Sequence, residues 1–151
     1  MKSGLSAYLL LVLFFWAWLA PVIPQCSTFS HAHEPITDPE TVVDQMGRRM
    51  VVERPFQRII SLYGAHTENL FSLGLDEEII GVSRNEAYPE EATRKPAFSY
   101  HDDPEKFLAA RPDLVLTRPM IDQGYPQFID RLERSGITVA SFQPNTVEEM
   151  F

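Results

Sequence analysis

The chain has 151 residues, of which 44% are hydrophobic and 23% charged, a composition typical of a folded domain with a real core. Its formal net charge of -8 argues against a nucleic-acid partner, because neutralising phosphates requires clustered Lys and Arg. The single cysteine, Cys26, excludes an intramolecular disulfide.

Residues 1–30 are interpreted as an export signal, because a lysine precedes an apolar run over residues 8–20. A membrane span needs roughly 20 apolar residues, so this run is short for one, although an uncleaved anchor stays open. Cys26 stands where a bacterial lipoprotein carries its acylated cysteine, but Gln25 fits poorly where a small residue is expected. Cleavage after Ala32 is the alternative, and it would remove Cys26 with the signal.

Residues 31–55 predict a polar linker followed by a small β-hairpin. The hairpin strands are expected at residues 41–46 and 50–52, with a glycine-containing turn that begins at Gly47. We expect the folded α/β lobe to occupy residues 56–151.

The lobe opens with one βαβ unit. A buried strand is expected at residues 59–62 and a helix at residues 67–73, with Leu70, Phe71 and Leu73 facing the core. Gly74 is the expected helix stop, and a second buried strand follows at residues 79–82.

Helices and strands continue to alternate along the chain. Asp103 is a predicted N-cap before Pro104, and a strand is expected at residues 114–116. Another helix is marked by apolar residues at i, i+3, i+4 and i+7 spacing. Its apolar positions are Tyr125, Phe128, Ile129 and Leu132, with Gly136 after it and a strand at residues 137–140.

The strands are β-branched and lack polar alternation, which predicts a parallel sheet of about four strands covered by helices on both faces. A final capping box pairs Asn145 with Glu148, and the chain stops at Phe151 within one turn. Since so short a helix is marginal on its own, we expect the chain to end inside a larger fold.

In a parallel sheet, the loops at the carboxyl ends of the strands meet on one rim, where ligands bind. Here these loops are residues 63–66, 83–88, 117–123 and 142–145. They carry aromatic rings, a histidine, arginines and amides. Such a rim suits a large anionic or metal-chelate ligand, because aromatics stack on planes and arginines pair with carboxylates.

Signatures of common enzymes are absent from the sequence. It has no G-x-G-x-x-G after the first strand, no P-loop, no G-x-S-x-G and no H-E-x-x-H. The alternative is nevertheless a small exported α/β enzyme, which would use His66 or the cluster His101, Asp102 and Asp103. The structural interpretation of the cluster is that Asp103 caps a helix and Asp102 is solvated. An adhesion or sensor module is a third option.

Several short motifs, in order across residues 44–137, resemble the helical-backbone substrate-binding proteins of ABC importers. The matching segments are Asp44-Gln-Met-Gly-Arg48, Arg58-Ile-Ile-Ser-Leu62, Thr67-Glu68, Leu73-Gly74, Ile80-Gly-Val-Ser83, Tyr88-Pro89, Pro104-Glu105, Arg111-Pro-Asp-Leu-Val115 and Gly136-Ile137. This family takes up iron-siderophores, haem and cobalamin. The resemblance implies a Rossmann-like N-terminal lobe that forms half of a ligand cleft, with a linker helix and second lobe to follow.

The resemblance also implies site residues, none of them catalytic. The expected ligand contacts are Tyr63, His66, Thr67, Arg84, Tyr88, Tyr100 and Arg118. Tyr100 would ligate iron only if the cargo is haem. Arg118 stands where cobalamin-binding relatives carry a tryptophan, which favours a ligand with negative charge. Asp122 is the candidate for docking the permease, although Pro126 lies closer to the usual place.

The sequence thus predicts the substrate-binding component of an ABC transporter, which captures a metal chelate and delivers it to a permease and its ATPase. Haem, a ferric siderophore or cobalamin would be the cargo, with no resident cofactor. We expect the protein in the periplasm, with an uncleaved signal or acylation of Cys26 as the routes to membrane attachment.

Overall fold

A computed structural model describes residues 39–144, and within them the chain forms a hairpin and a larger sheet. The hairpin pairs β1 (Glu40–Val43) with β2 (Arg49–Val52) in antiparallel register. β1 is shorter than predicted because Asp44 turns the chain: its Oδ1 accepts the backbone N–H of Met46 at 2.9 Å and of Arg48 at 2.8 Å.

The larger sheet is parallel throughout and alternates with helices, as the sequence predicts. Its strands are β3 (Ile59–Ser61), β4 (Ile79–Ser83), β5 (Ala97–Phe98), β6 (Leu114–Thr117) and β7 (Thr138–Ser141). The helices are α1 (Gly64–Ser72), α2 (Pro104–Ala110), α3 (Pro119–Gly124) and α4 (Pro126–Arg134), with a 3₁₀ turn at Ala92–Arg94. The two-residue β5 is the strand that the sequence did not predict.

The strand order is β5-β4-β3-β6-β7, so β3 lies in the middle although it is the first strand of this sheet along the chain. From β3 the chain moves outward through β4 to β5, and then crosses to β6 and β7 on the other side. The direction of winding therefore reverses between β3 and β6, and open α/β sheets bind ligands at the carboxyl ends of such strands.

Apolar side chains cover the sheet on both faces, which confirms the predicted burial. On one face Ile60 and Val115 pack with Phe107 of α2 and Leu132 of α4. On the other face neighbouring residues of the same strands, such as Ile59, pack with α1 and the 3₁₀ turn. Burying each such side chain contributes about 1.5–3 kcal/mol, so the two layers fix the positions of the strands.

Two helices differ from the prediction in detail. α1 begins at Gly64, three residues early, and ends before Leu73, which is 74% exposed and not part of the core. Gly74 follows with φ +74°, the left-handed conformation of a glycine stop. α3 lies where a loop was expected, with Pro119 in its first turn.

The remaining helix predictions are confirmed. Asp103 caps α2 by accepting the N–H of Glu105 at 3.0 Å, and α4 buries Phe128, Ile129 and Leu132. The predicted capping box at residues 145–148, the export signal and Cys26 lie outside the described residues.

Candidate ligand-binding cleft

A cleft of about 470 Å³ opens at the carboxyl ends of the strands, where the winding reverses. Each of four successive loops contributes one chemically distinctive side chain to its wall. These are Tyr63 after β3, Arg84 after β4, Tyr100 after β5 and Arg118 after β6. Four of the seven predicted ligand contacts therefore come together in one place.

Tyr63 is held at the rim by buried hydroxyl groups beneath it. Ser61 Oγ donates a hydrogen bond to the Tyr63 carbonyl at 3.1 Å. Thr67 Oγ1 lies 2.9 Å from both Ser61 Oγ and Glu86 Oε2. Burial raises the pKa of Glu86, with the nearby Glu68 charge adding to the rise, while the Thr67 and Ser83 hydroxyls oppose it. The turn from β3 into α1 is thereby tied to the loop after β4.

Arg118 presents a positive charge to the cleft. Its guanidinium carbon lies 4.8 Å from the centroid of the Tyr63 ring, a cation–π contact between two walls. Among the residues that the structure describes, Arg118 takes part in no ion pair. The guanidinium therefore has donors left for a carboxylate or another anionic group of a ligand.

Arg84 is engaged differently, because Asp102 pairs with both Arg84 and Lys106. Burial works to raise the pKa of Asp102, but the hydrogen bond and charge of Lys106 and the charge of Arg84 hold that pKa below its usual value. The Arg84 side chain is 59% exposed at the mouth of the cleft. The Arg84 guanidinium can therefore contact a ligand while it remains paired with the Asp102 carboxylate.

Tyr100 belongs to an aromatic cluster at the far wall. Its ring centroid lies 4.4 Å from that of His101 and 4.7 Å from that of Tyr125, the residue before α4. His101 and Tyr125 meet edge to face at 5.0 Å. Such contacts restrain the ring of Tyr100 and leave a flat, half-buried surface beside the cleft.

The other three predicted ligand contacts lie outside the cleft lining. Thr67 is fully buried beneath the rim, and Tyr88 is 66% exposed on the long connection after β4. His66 is 8% exposed, and its Nε2 lies 2.8 Å from the Phe142 carbonyl after β7. Burial lowers the pKa of His66, the Phe142 hydrogen bond opposes this, and the charge of Arg118 lowers it further. His66 and Thr67 point inward because α1 begins earlier than predicted, at Gly64.

Asp122, the predicted permease-docking residue, is buried and 6% exposed. One of its oxygens accepts the Thr117 hydroxyl at 2.7 Å, and the other lies 2.5 Å from Nη2 of Arg48. Both oxygens thus face groups inside the protein, and this buried position does not support the prediction that Asp122 docks the permease. The helix α3 that carries Asp122 was not foreseen from the sequence.

Sequence reasoning missed the apolar floor of the cleft, which Leu62, Phe98 and Ile121 form. Phe98 lies on β5, whose two residues are too few to show a strand pattern. Ile121 lies on α3, whose six residues are too few to show a helical one. The bulk of these side chains was the available signal.

The residues offered for catalysis have structural partners. Asp103 caps α2, Asp102 pairs with two cations and His101 packs on aromatic rings. Within residues 39–144, no group of three or more His, Cys, Asp or Glu side chains could hold a metal ion. Over the same residues, no helix is long and apolar enough to cross a membrane.

Comparison with known proteins relates the chain to binding proteins. No family model matches it. It is 29% identical over 102 residues to the uncharacterized ABC transporter substrate-binding lipoprotein YvrC of Bacillus subtilis, covering 67% of this chain and 32% of that protein. It is 31% identical over 98 residues to a vitamin B12-binding protein of Vibrio cholerae, covering 64% and 35%.

Comparison with solved structures also finds binding proteins. A possible iron-binding periplasmic solute-binding protein of Staphylococcus epidermidis is 30% identical, with a TM-score of 0.59 over 62% of this chain and 38% of that one. A periplasmic haem-binding protein of Pseudomonas aeruginosa is 26% identical, with a TM-score of 0.53 over 58% and 32%.

The chain is a parallel α/β lobe, and the class of protein that its fold and relatives resemble is that of the solute-binding proteins. More particularly, the chain is a homologue of the substrate-binding proteins of ABC importers and matches part of an N-terminal lobe. It spans about a third of the length of the curated relatives that it matches.

Proposed function

We propose that this chain provides one wall of the ligand cleft in a substrate-binding protein that captures a metal chelate and delivers it to an ABC permease. The observation that carries the proposal is the cleft itself. It gathers Tyr63, Arg84, Tyr100 and Arg118 from four loops at the point where the sheet reverses its winding. Binding proteins of α/β architecture use this place for ligands.

The chemistry of the wall supports a large ligand that combines a flat or apolar body with negative charge. Tyr63 and Tyr100 offer aromatic surface, Phe98 and Ile121 an apolar floor, and Arg118 a cation without a carboxylate partner among the described residues. The names of relatives supply the candidates, which are vitamin B12, an iron compound and haem. Negative charge favours haem or a ferric siderophore over cobalamin.

Tyr100 is the residue of the wall that could ligate iron if the cargo is haem. Its ring is restrained by His101 and Tyr125. A phenolate oxygen is a suitable ligand for ferric haem. For a siderophore, whose iron is already enclosed, Tyr100 would serve as aromatic surface only.

Export from the cytoplasm is part of the proposal. The support is the apolar run in residues 8–20 and the names of relatives as lipoprotein or periplasmic proteins. Acylation at Cys26, cleavage beyond it and an uncleaved signal are the three outcomes to distinguish, and the mass of the N-terminus would do so. The permease and its ATPase are the proposed partners, and Asp122 is not assigned a docking role.

The test is a titration of the protein, expressed from its complete gene, with ferric haem, a panel of ferric siderophores and cobalamin. Both tryptophans lie at positions 16 and 18, outside the lobe, so absorbance of the chelates is the better signal. We expect saturable binding of one chelate at micromolar concentration or below. A folded protein that binds none of the three would overturn the proposal.

A further inference from the structure

Arg48 lies at the centre of a cluster of charges beside the cleft. Its Nε lies 2.7 Å from Asp44 Oδ2, its Nη2 2.5 Å from Asp122 Oδ1 and its Nη1 3.2 Å from Glu133 Oε1. The Asp44 and Asp122 side chains are 0% and 4% exposed, whereas that of Glu133 is 41% exposed. One guanidinium thus joins the hairpin turn to α3 and α4.

The cluster also fastens the ends of two strands. Asp44 Oδ2 accepts the backbone N–H of Ser141, the last residue of β7, at 3.0 Å. Asp122 Oδ2 accepts the hydroxyl of Thr117, the last residue of β6, at 2.7 Å. Asp122 is therefore held from one side by the sheet and from the other by Arg48.

The short segment that these contacts hold is a wall of the cleft. Arg118 directly follows Thr117, and Ile121 directly precedes Asp122. Both Arg118 and Ile121 line the cleft. Because α3 has six residues and lacks a side-chain N-cap, its own hydrogen bonds define its orientation poorly.

Buried charges are costly unless they are paired, and replacing such a cluster with apolar residues is often neutral or favourable for stability. Stability alone therefore explains the cluster poorly. We propose that Arg48 is a positioning residue for the ligand cleft: through Asp122 it fixes the first turn of α3, and so places Arg118 and Ile121 for ligand binding. This inference rests on the proposed function, because it assigns a role at that same site.

The experiment compares three variants of the protein expressed from its complete gene. Arg48→Met keeps the length of the side chain and removes the charge. Arg48→Lys keeps one charge but cannot reach Asp44 and Asp122 with separate nitrogens. Glu133→Gln is the matched control, because it alters the same cluster without touching the link to Asp122. Circular dichroism and thermal melting establish that each variant is folded.

Two measurements follow, one of them independent of any ligand. The methyl resonance of Ile121, in protein labelled at isoleucine δ1 carbons, reports the position of α3. We expect it to shift in Arg48→Met, to shift less in Arg48→Lys and to stay unchanged in Glu133→Gln. Titration with ferric haem, the ferric siderophores and cobalamin reports the cleft, and we expect Arg48→Met to weaken the binding by about three- to thirtyfold.

A double-mutant comparison separates positioning from a purely structural role. If Arg48 acts through Arg118, then Arg118→Gln should weaken binding by a smaller factor in Arg48→Met than in the wild type. Effects that multiply independently, or an unchanged Ile121 resonance in Arg48→Met, would overturn the inference. If Arg48→Met does not fold, an unchanged resonance and affinity in Arg48→Lys would do the same.

Failure of the proposed function would look different. In that case the wild type binds none of ferric haem, the ferric siderophores and cobalamin, while the Ile121 resonance still decides whether Arg48 positions α3. An unchanged resonance overturns the inference, and a shift specific to the Arg48 variants supports it.

Discussion

Arg118 lies over the face of Tyr63, with its guanidinium carbon 4.8 Å from the ring centroid. The contact joins the loops after β3 and β6, which are neighbouring strands on either side of the winding reversal. The ring holds the cation by its negative face and leaves the guanidinium hydrogens free to donate. The cleft thus has a positive charge in a defined place without an internal carboxylate to neutralise it.

Replacing Arg118 with Gln should weaken the binding of an anionic chelate. A charge-assisted hydrogen bond contributes about 1.5–3 kcal/mol, so we expect a loss of roughly ten- to hundredfold in affinity for haem. Arg94→Gln is the control, because Arg94 is 70% exposed and pairs with Glu90 away from the cleft. Absorbance titration gives both affinities, and equal affinities for the two variants would refute a role for Arg118.

Tyr100→Phe tests the iron-ligand proposal. The ring keeps its contacts with His101 and Tyr125, so the thermal melting temperature should stay near that of the wild type. If haem is bound through the phenolate, its absorption spectrum should change because an axial ligand is lost. Tyr88→Phe, on an exposed side chain outside the cleft lining, should leave the spectrum unaltered. An unchanged haem spectrum in Tyr100→Phe would rule out ligation.

Much of the fold could be predicted because the sequence patterns that indicate its main helices and strands extend over whole elements. Buried β-branched segments such as residues 59–62 and the apolar spacing on α4 each extend over a whole element, and both were located correctly. The failures are β5 and α3, with two and six residues. Segments of that length show no period, and they are held by contacts with residues distant in sequence.

The cleft was predictable in part for the same reason. Tyr63, Arg84, Tyr100 and Arg118 could be found because the carboxyl ends of parallel strands meet at one rim. His66 and Asp122 are buried where exposed side chains were expected, because a loop residue and the residue of a short helix look alike in sequence although their side chains point in different directions. The link from Arg48 to Asp122 spans two elements and has no local signature.

Gly81→Ala should destabilise the protein. A Cβ on Gly81 would overlap two carbons of the Phe98 ring, whose centroid lies 4.9 Å from that of Phe107. Forcing such an overlap typically costs about 1–3 kcal/mol. Gly124→Ala is the matched control, because nothing lies within 4 Å of its added carbon. Urea unfolding should show a lower free energy of unfolding for Gly81→Ala only, and equal values would contradict the packing.

His66 should make the protein less stable in mild acid. Burial and the charge of Arg118 lower its pKa below the ordinary value of 6.5. The unfolded chain therefore takes up a proton at a higher pH than the folded one. The stability that His66 confers is complete above pH 6.5 and declines as the pH falls below it, by at most about 1.4 kcal/mol per unit.

Replacing His66 with Gln should remove that decline, because a glutamine amide can still donate to the Phe142 carbonyl and does not titrate. The measurement is the free energy of unfolding of both proteins between pH 8 and pH 5. His101→Gln is the control, since it makes the same exchange on an exposed side chain. Parallel curves for the wild type and His66→Gln would count against the assignment.

Asp44→Asn should be the most damaging of these substitutions at neutral pH. The carboxylate accepts the backbone N–H groups of Met46, Arg48 and Ser141 as well as Nε of Arg48. An asparagine side chain has only one acceptor oxygen. Its amino group would therefore face N–H donors that one oxygen of the carboxylate now accepts. Breaking a buried pair in this way costs about 3–5 kcal/mol.

The pH dependence of the free energy of unfolding of the wild type should show the contribution of the Asp44 carboxylate. Burial works to raise the pKa of Asp44, but the hydrogen bonds from Arg48 and Ser141 and the charge of Arg48 leave it below the ordinary 3.8. Its stabilisation is therefore complete above pH 3.8 and is lost as the pH falls through the lower value of the folded state. The difference in free energy of unfolding between wild type and Asp44→Asn should thus be constant near neutrality and shrink in strong acid.

Asp130→Asn is the control: it removes an exposed partner of Arg134 and should change the free energy of unfolding by no more than about 0.5 kcal/mol. A loss for Asp44→Asn as small as that of Asp130→Asn would show that the hairpin turn does not hold β7.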